Sequence, residues 1–135
     1  MNFSDFILSQ TTLDALAAKG IIEPTPIQEA AIPVLMNENG SVLGQARTGT
    51  GKTAAFGIPI IEKVETGSKY PQALILTPTR ELCLQVADEI KSLCGTKKIN
   101  IVTVYGGASI EMQLQVAKMQ IEIGGNYEVE AVYSF

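Results

Sequence analysis

The sequence predicts an α/β fold, an open parallel sheet flanked by helices, and three observations carry that reading. Short apolar runs at 41–44, 73–76 and 99–105 alternate with segments of helical period. A glycine-rich loop joins the first of these runs to a helix. The 135 residues, 46% hydrophobic and 18% charged, suit one globular domain and lie far from the composition of disordered chains.

Each element has its own signal. Leu13, Leu16 and Ala17 form a helical stripe after polar Ser9 to Thr12, and Gly20 stands where a helix would stop, so the first helix covers about 10–19. Pro24-Thr25-Pro26-Ile27-Gln28 is a helix start, with Thr25 as N-cap, Pro26 at the first helical position and Gln28 three residues after the cap. That second helix runs to about Met36, with a kink expected at Pro33.

Ser41-Val42-Leu43-Gly44 reads as a strand leading into the loop, and Thr53 to Val64 as a mostly apolar helix. After a turn at Gly67 to Pro71, Ala73-Leu74-Ile75-Leu76 reads as a buried parallel strand. Thr77-Pro78 opens a helix whose Leu82, Val86, Ile90 and Leu93 share one face, and Ile99 to Tyr105 makes a third strand.

Charge and cysteine content narrow the chemistry. A net charge of −4 supplies no global basic field, so any nucleic-acid contact has to be local. With no His and two Cys, Cys83 and Cys94, the ligands for a zinc or iron-sulfur centre are lacking, and reduced thiols are expected. Met1 to Asp5 carries no secretory pattern and no apolar run is long enough to span a bilayer, so a soluble, cytoplasmic protein without membrane contact is expected.

The chemistry concentrates in Ala46-Arg47-Thr48-Gly49-Thr50-Gly51-Lys52-Thr53, a phosphate-binding loop in which Ala46 replaces the usual first glycine. Gly49 and Gly51 permit positive φ and bring backbone N–H groups around phosphates, and the following helix points its positive end there. Lys52 is the expected catalytic cation on the β- and γ-phosphates, and the Thr53 hydroxyl is the expected magnesium ligand. The loop alone implies only a nucleoside triphosphate.

Further segments resemble those of DEAD-box RNA helicases. Gly20-Ile21-Ile22-Glu23-Pro24-Thr25-Pro26-Ile27-Gln28 is similar to the family's adenine-reading Q motif, with Phe3 at its upstream aromatic position. Ala46 to Thr53 is similar to motif I, Pro78-Thr79-Arg80-Glu81-Leu82-Cys83-Leu84-Gln85 to motif Ia apart from Cys83, and Gly106-Gly107 to the paired-glycine motif. The resemblance covers about residues 3–119 and implies a partial, truncated RecA-like domain with ATP and Mg2+ as cofactors. It also implies that Gln28 bonds the adenine edge, that Phe3 stacks near the base, and that Gly20, Thr25 and the loop complete the nucleotide site. Pro78, Thr79, Arg80, Gly106 and Gly107 would follow the RNA backbone. Each role has a structural competitor: Gln28 as the partner of Thr25 in a capping box, Phe3 as a packing aromatic, Arg80 as a solvated cation and Cys83 as a core residue.

Residues 121–135 depart from the family. Their alternation around Gly124-Gly125-Asn126 suggests a hairpin or an edge strand, and a truncation, a frameshift or a fusion would each explain them. The 1–120 portion is then expected as the partial ATP-binding domain and 121–135 as a separate tail. The Asp-Glu-Ala-Asp motif is absent from these residues, as is a second motor domain, whose arginines alone are worth about 10³ to 10⁵ in rate. Negligible hydrolysis and no unwinding are therefore expected of the 135 residues alone, with self-association through exposed sheet edges. The competing readings are a non-catalytic nucleotide-binding module, a self-associating structural product with a vestigial loop, and a different phosphate-loop enzyme.

Overall fold

The computed structural model describes residues 1–105 and the backbone of 129–134. Two units divide the chain: Met1–Lys63 with Ser92–Thr96, and Val64–Lys91 with Lys97–Phe135.

The first unit is helical. A 3-10 turn at Phe3–Asp5 precedes α1 (Gln10–Ala18), α2 (Pro26–Met36) and α3 (Lys52–Lys63). Ser9 caps α1 by accepting from the Thr12 N–H, and Gly20 ends the segment with φ of +71°. Glu62, near the end of α3, accepts from both the Ser9 N–H and the Ser9 hydroxyl, at 3.0 and 2.8 Å, and from the Thr12 hydroxyl. Its carboxylate therefore satisfies donors at the positive end of α1 and ties that end to α3. α2 packs against α3 and continues through Pro33, as α3 continues through Pro59. Leu16, Ile32, Ile58, Ile61 and Leu93 are the most buried large side chains of this unit.

The second unit holds the sheet. β1 (Pro71–Thr77), α4 (Arg80–Leu93, whose last residues belong to the first unit), β2 (Asn100–Val104) and β3 (Val129–Ser134) follow in chain order. The spatial order is β1-β3-β2, and both pairings are parallel. Ala131 stands opposite Leu74 on one side and Val102 on the other. The buried face of α4 is Cys83, Val86, Ala87, Ile90 and Leu93, the spacing of an amphipathic helix.

Three expectations are corrected. Ser41 to Gly44 is not a strand: residues 40–47 carry no regular structure, and Leu43 is fully exposed at 102%. An apolar run becomes a strand only where a neighbour satisfies its backbone groups, and the described sheet has three members that do not include it. The tail is neither an edge strand nor, in its described part, half of a hairpin. β3 is the central strand, hydrogen-bonded on both sides, and the anticipated turn at Gly124-Gly125-Asn126 lies outside the described residues. Leu82 lies off the buried face of α4, which keeps the expected Val86, Ile90 and Leu93 and begins at Cys83 instead.

The central position of β3 makes it indispensable to the second unit. Val132→Pro removes a ladder donor between two neighbours and is expected to abolish the cooperative thermal transition of the sheet followed by circular dichroism. A transition kept at the unmodified midpoint would contradict that role.

Candidate functional site

The loop is built around two glycines in the left-handed region, Gly49 at φ +79° and Gly51 at φ +82°. Between them Thr50 donates its hydroxyl to the Arg47 carbonyl at 2.6 Å, closing the turn. Lys52 begins α3 and reaches back six residues, its Nζ donating to the Ala46 carbonyl at 2.7 Å. The ammonium is thus held across the mouth of the loop by its own backbone.

Gln28 couples this loop to α2. Buried, it uses both ends of its carboxamide: Oε1 accepts from the Thr25 N–H at 3.0 Å, and Nε2 donates to the Gly51 carbonyl at 3.0 Å. The first bond is the reciprocal arm of a capping box, so the structural role set beside the functional one for Gln28 is present. The Gly51 carbonyl also accepts from the Ala55 N–H, the first helical bond of α3. One carbonyl oxygen therefore joins the starts of α2 and α3. A side chain at Gly51 has no room: its Cβ would lie 2.2 Å from Gln28 Nε2, whereas at Gly49 nothing lies within 4 Å.

Thr25 Oγ1, beside Gly51, is buried with no hydrogen-bond partner. A cleft of about 220 Å³ adjoins the loop, lined by Ile27 and Ala31 of α2, Val42 and Gly44, and Lys52 and Ala55 of α3. That volume falls below the roughly 300–1,000 Å³ of sites enclosing a whole drug-sized ligand. It suits part of a nucleotide. A positive-φ glycine pair, a helix start, a lysine inside the loop and half-buried Thr53 in the first turn together fit a magnesium-bound triphosphate.

The other expected nucleotide residues have structural duties. Phe3 is 4% exposed, with its ring edge-on to Phe6 at 6.0 Å between centroids. Gly20 stops α1.

The residues expected along RNA lie in the second unit. Pro78 and Thr79 are exposed between β1 and α4, and Thr79 Oγ1 accepts from the Leu82 N–H at 3.2 Å, capping the helix that Arg80 begins. Arg80 is exposed, and its guanidinium carbon lies 4.7 Å from the centre of the Tyr105 ring. Sequence reasoning treated Tyr105 only as the end of a strand; its signal was adjacency to Gly106-Gly107, which lie outside the described residues. Cys83 is fully buried, and burial pushes its thiol up despite hydrogen bonds from the Thr77 side chain and the Val104 backbone. It is a core residue of low reactivity. Among the described residues no group of His, Cys, Asp and Glu could hold a metal ion, and no helix is long and apolar enough to cross a membrane.

The unequal space at the two loop glycines gives a graded expectation. Gly51→Ala meets both strain and collision and should lower stability by about 2 kcal/mol or more, whereas Gly49→Ala meets strain alone and should cost about 1 kcal/mol. Urea unfolding of the two variants measures the difference, and equal losses would contradict it.

The DEAD/DEAH box helicase family pattern matches residues 25–128, which takes it into the segment expected to stand outside the family. A probable ATP-dependent RNA helicase of Methanocaldococcus jannaschii is 48% identical over 118 residues, covering 87% of this chain and 32% of that protein. The ATP-dependent RNA helicase CshA of Limosilactobacillus reuteri is 47% identical over 123 residues, covering 91% of this chain and 24% of that protein. The crystal structure of a DEAD box protein from the hyperthermophile Methanococcus jannaschii superposes with a TM-score of 0.83 at 41% identity, over 98% of this chain and 34% of that one. The chain thus spans about a third or less of the length of these proteins. With a family match over most of its residues, the chain belongs to the DEAD/DEAH box helicases.

Proposed function

We propose that these residues bind Mg2+-ATP as the front part of an ATP-dependent RNA helicase domain in the cytoplasm. The observation that carries the reading is the convergence of Lys52 and Gln28 on one loop, through the carbonyls of Ala46 and Gly51. Lys52 would exchange the Ala46 carbonyl for the β- and γ-phosphates, and Thr53 would ligate magnesium. When bound, the metal would supply positive charge against the phosphates.

Gln28 retains the capacity to read adenine. A primary amide has two donors and two acceptor lone pairs, and its bonds to Thr25 and Gly51 use one of each. The remaining donor and acceptor match the acceptor N7 and donor N6 of an adenine edge. Arg80, with the start of α4, offers the complementary chemistry to an RNA phosphate.

RNA-stimulated hydrolysis and unwinding are proposed for the family's full machinery. The 135 residues alone hold the cradle without the acidic motif that would activate water, so nucleotide binding without turnover is the activity proposed for them. Calorimetric titration of Mg2+-ATP should show saturable binding that Lys52→Ala weakens by roughly thirtyfold, the loss of a charge-assisted hydrogen bond worth about 2 kcal/mol. Phosphate release should stay at background with or without RNA. Traces unchanged by the substitution would favour a vestigial loop, and robust RNA-stimulated release would refute the binding-only activity.

Self-association is the second part of the proposal. Leu74 and Leu76 are each 58% exposed on alternate positions of β1, an edge of the described sheet. Light scattering at high concentration should give a dimer or larger species, and the double variant Leu74→Gln with Leu76→Gln should shift it to the monomer mass. A sharp monomer for the unmodified chain would overturn this.

A further inference from the structure

Arg80 and Tyr105 are far apart in sequence, yet the β1-α4-β2 unit brings them together: Arg80 is the first residue of α4 and Tyr105 follows the last residue of β2. The guanidinium carbon sits over the ring at 4.7 Å, within the range of a cation–π contact. Arg80 is exposed, Tyr105 half-buried, and among the described residues no carboxylate lies within ion-pair distance of Arg80. Its charge is therefore answered by a ring face.

The consequence follows from the shape of the group. A ring face attracts the guanidinium without using all of its N–H donors, so donors directed away from the ring remain able to bond an anion. A carboxylate partner would instead occupy those donors. Arginine also carries high rotamer freedom, so an exposed arginine that is not held loses part of its contact energy to ordering. Thr79 fixes the backbone beneath it by capping α4.

We infer that Tyr105 is a positioning residue for the Arg80–phosphodiester contact, holding the cation by its face while leaving its donors to the RNA backbone. The inference rests on the RNA reading given above. It assigns Tyr105 no hydrogen bond to RNA, and the relevant property is the negative face of the ring.

Fluorescence anisotropy with a labelled ten-nucleotide oligouridylate, at several salt concentrations, tests both levels. Arg80→Ala should weaken binding and reduce the salt dependence by about one phosphate contact. Tyr105→Phe should bind within about twofold of the unmodified chain, while Tyr105→Leu should weaken binding by roughly five- to tenfold. Pentafluorophenylalanine at position 105 keeps the shape of phenylalanine and inverts the polarity of its face, so it should weaken binding to the level of leucine even if the leucine variant folds poorly. Adding Arg80→Ala to either weakened variant should cost nothing beyond Arg80→Ala alone. Equal affinity for the phenylalanine and pentafluorophenylalanine proteins, or additive losses in the double variants, would overturn the role of Tyr105 while leaving RNA binding intact. No binding by the unmodified chain, or none of it sensitive to Arg80→Ala, would overturn the RNA reading and this inference with it.

Discussion

Gly51 is the point on which the first unit turns. Its carbonyl accepts the first helical bond of α3, from the Ala55 N–H, and also a bond from the buried Gln28 amide, whose other end holds the Thr25 N–H. Two helix starts are thereby tied through one oxygen and one carboxamide. Such a joint is costly to break, because a buried amide deprived of its partner keeps the desolvation penalty without the bond. It also explains why glycine is needed at 51 beyond its φ: the Gln28 amide occupies the space a Cβ would take. Because α2 touches the loop through Gln28 and the Gly51 carbonyl, it cannot shift without moving the loop.

The second unit handles charge differently. Arg80 begins α4, where the helix dipole disfavours a cation, and Tyr105 offsets that with a ring face. One turn along α4, the Cys83 thiol is hydrogen-bonded to the Thr77 side chain and the Val104 backbone, which links α4 to the ends of β1 and β2. Because burial raises the Cys83 thiol above its ordinary range, the neutral form persists in the fold, and its stabilising contribution is retained until pH rises above that range.

What was legible in the sequence was local. The four helices follow from caps, prolines and spacing, and the pairing of Thr25 with Gln28 is visible in a five-residue run because a capping box lies within one turn. The loop was legible because its glycines, lysine and threonine stand in one contiguous run. What escaped was non-local. Ser41 to Gly44 has the composition of a strand, but composition does not supply a neighbour. The position of β3 depends on two strands earlier in the chain, and Tyr105 meets Arg80 only because β1 and β2 run parallel. Leu82 and Cys83 differ by one position, about 100° around a helix, which apolar periodicity resolves poorly when both residues are apolar.

The order β1-β3-β2 has a consequence for how the molecule comes into being. Among the described residues β1 and β2 do not pair with each other, and each has its hydrogen-bonding partner in β3, a segment synthesised after both. During translation from the amino end, the helical unit can gather its mostly local contacts early, while two apolar strands emerge with their ladders unsatisfied. Until residues 129–134 leave the ribosome, those strands are open to any other extended chain that presents an edge. Chaperone demand should therefore fall on this interval of synthesis, and a ribosome that pauses within it would leave the nascent chain sticky although its helical unit is already assembled.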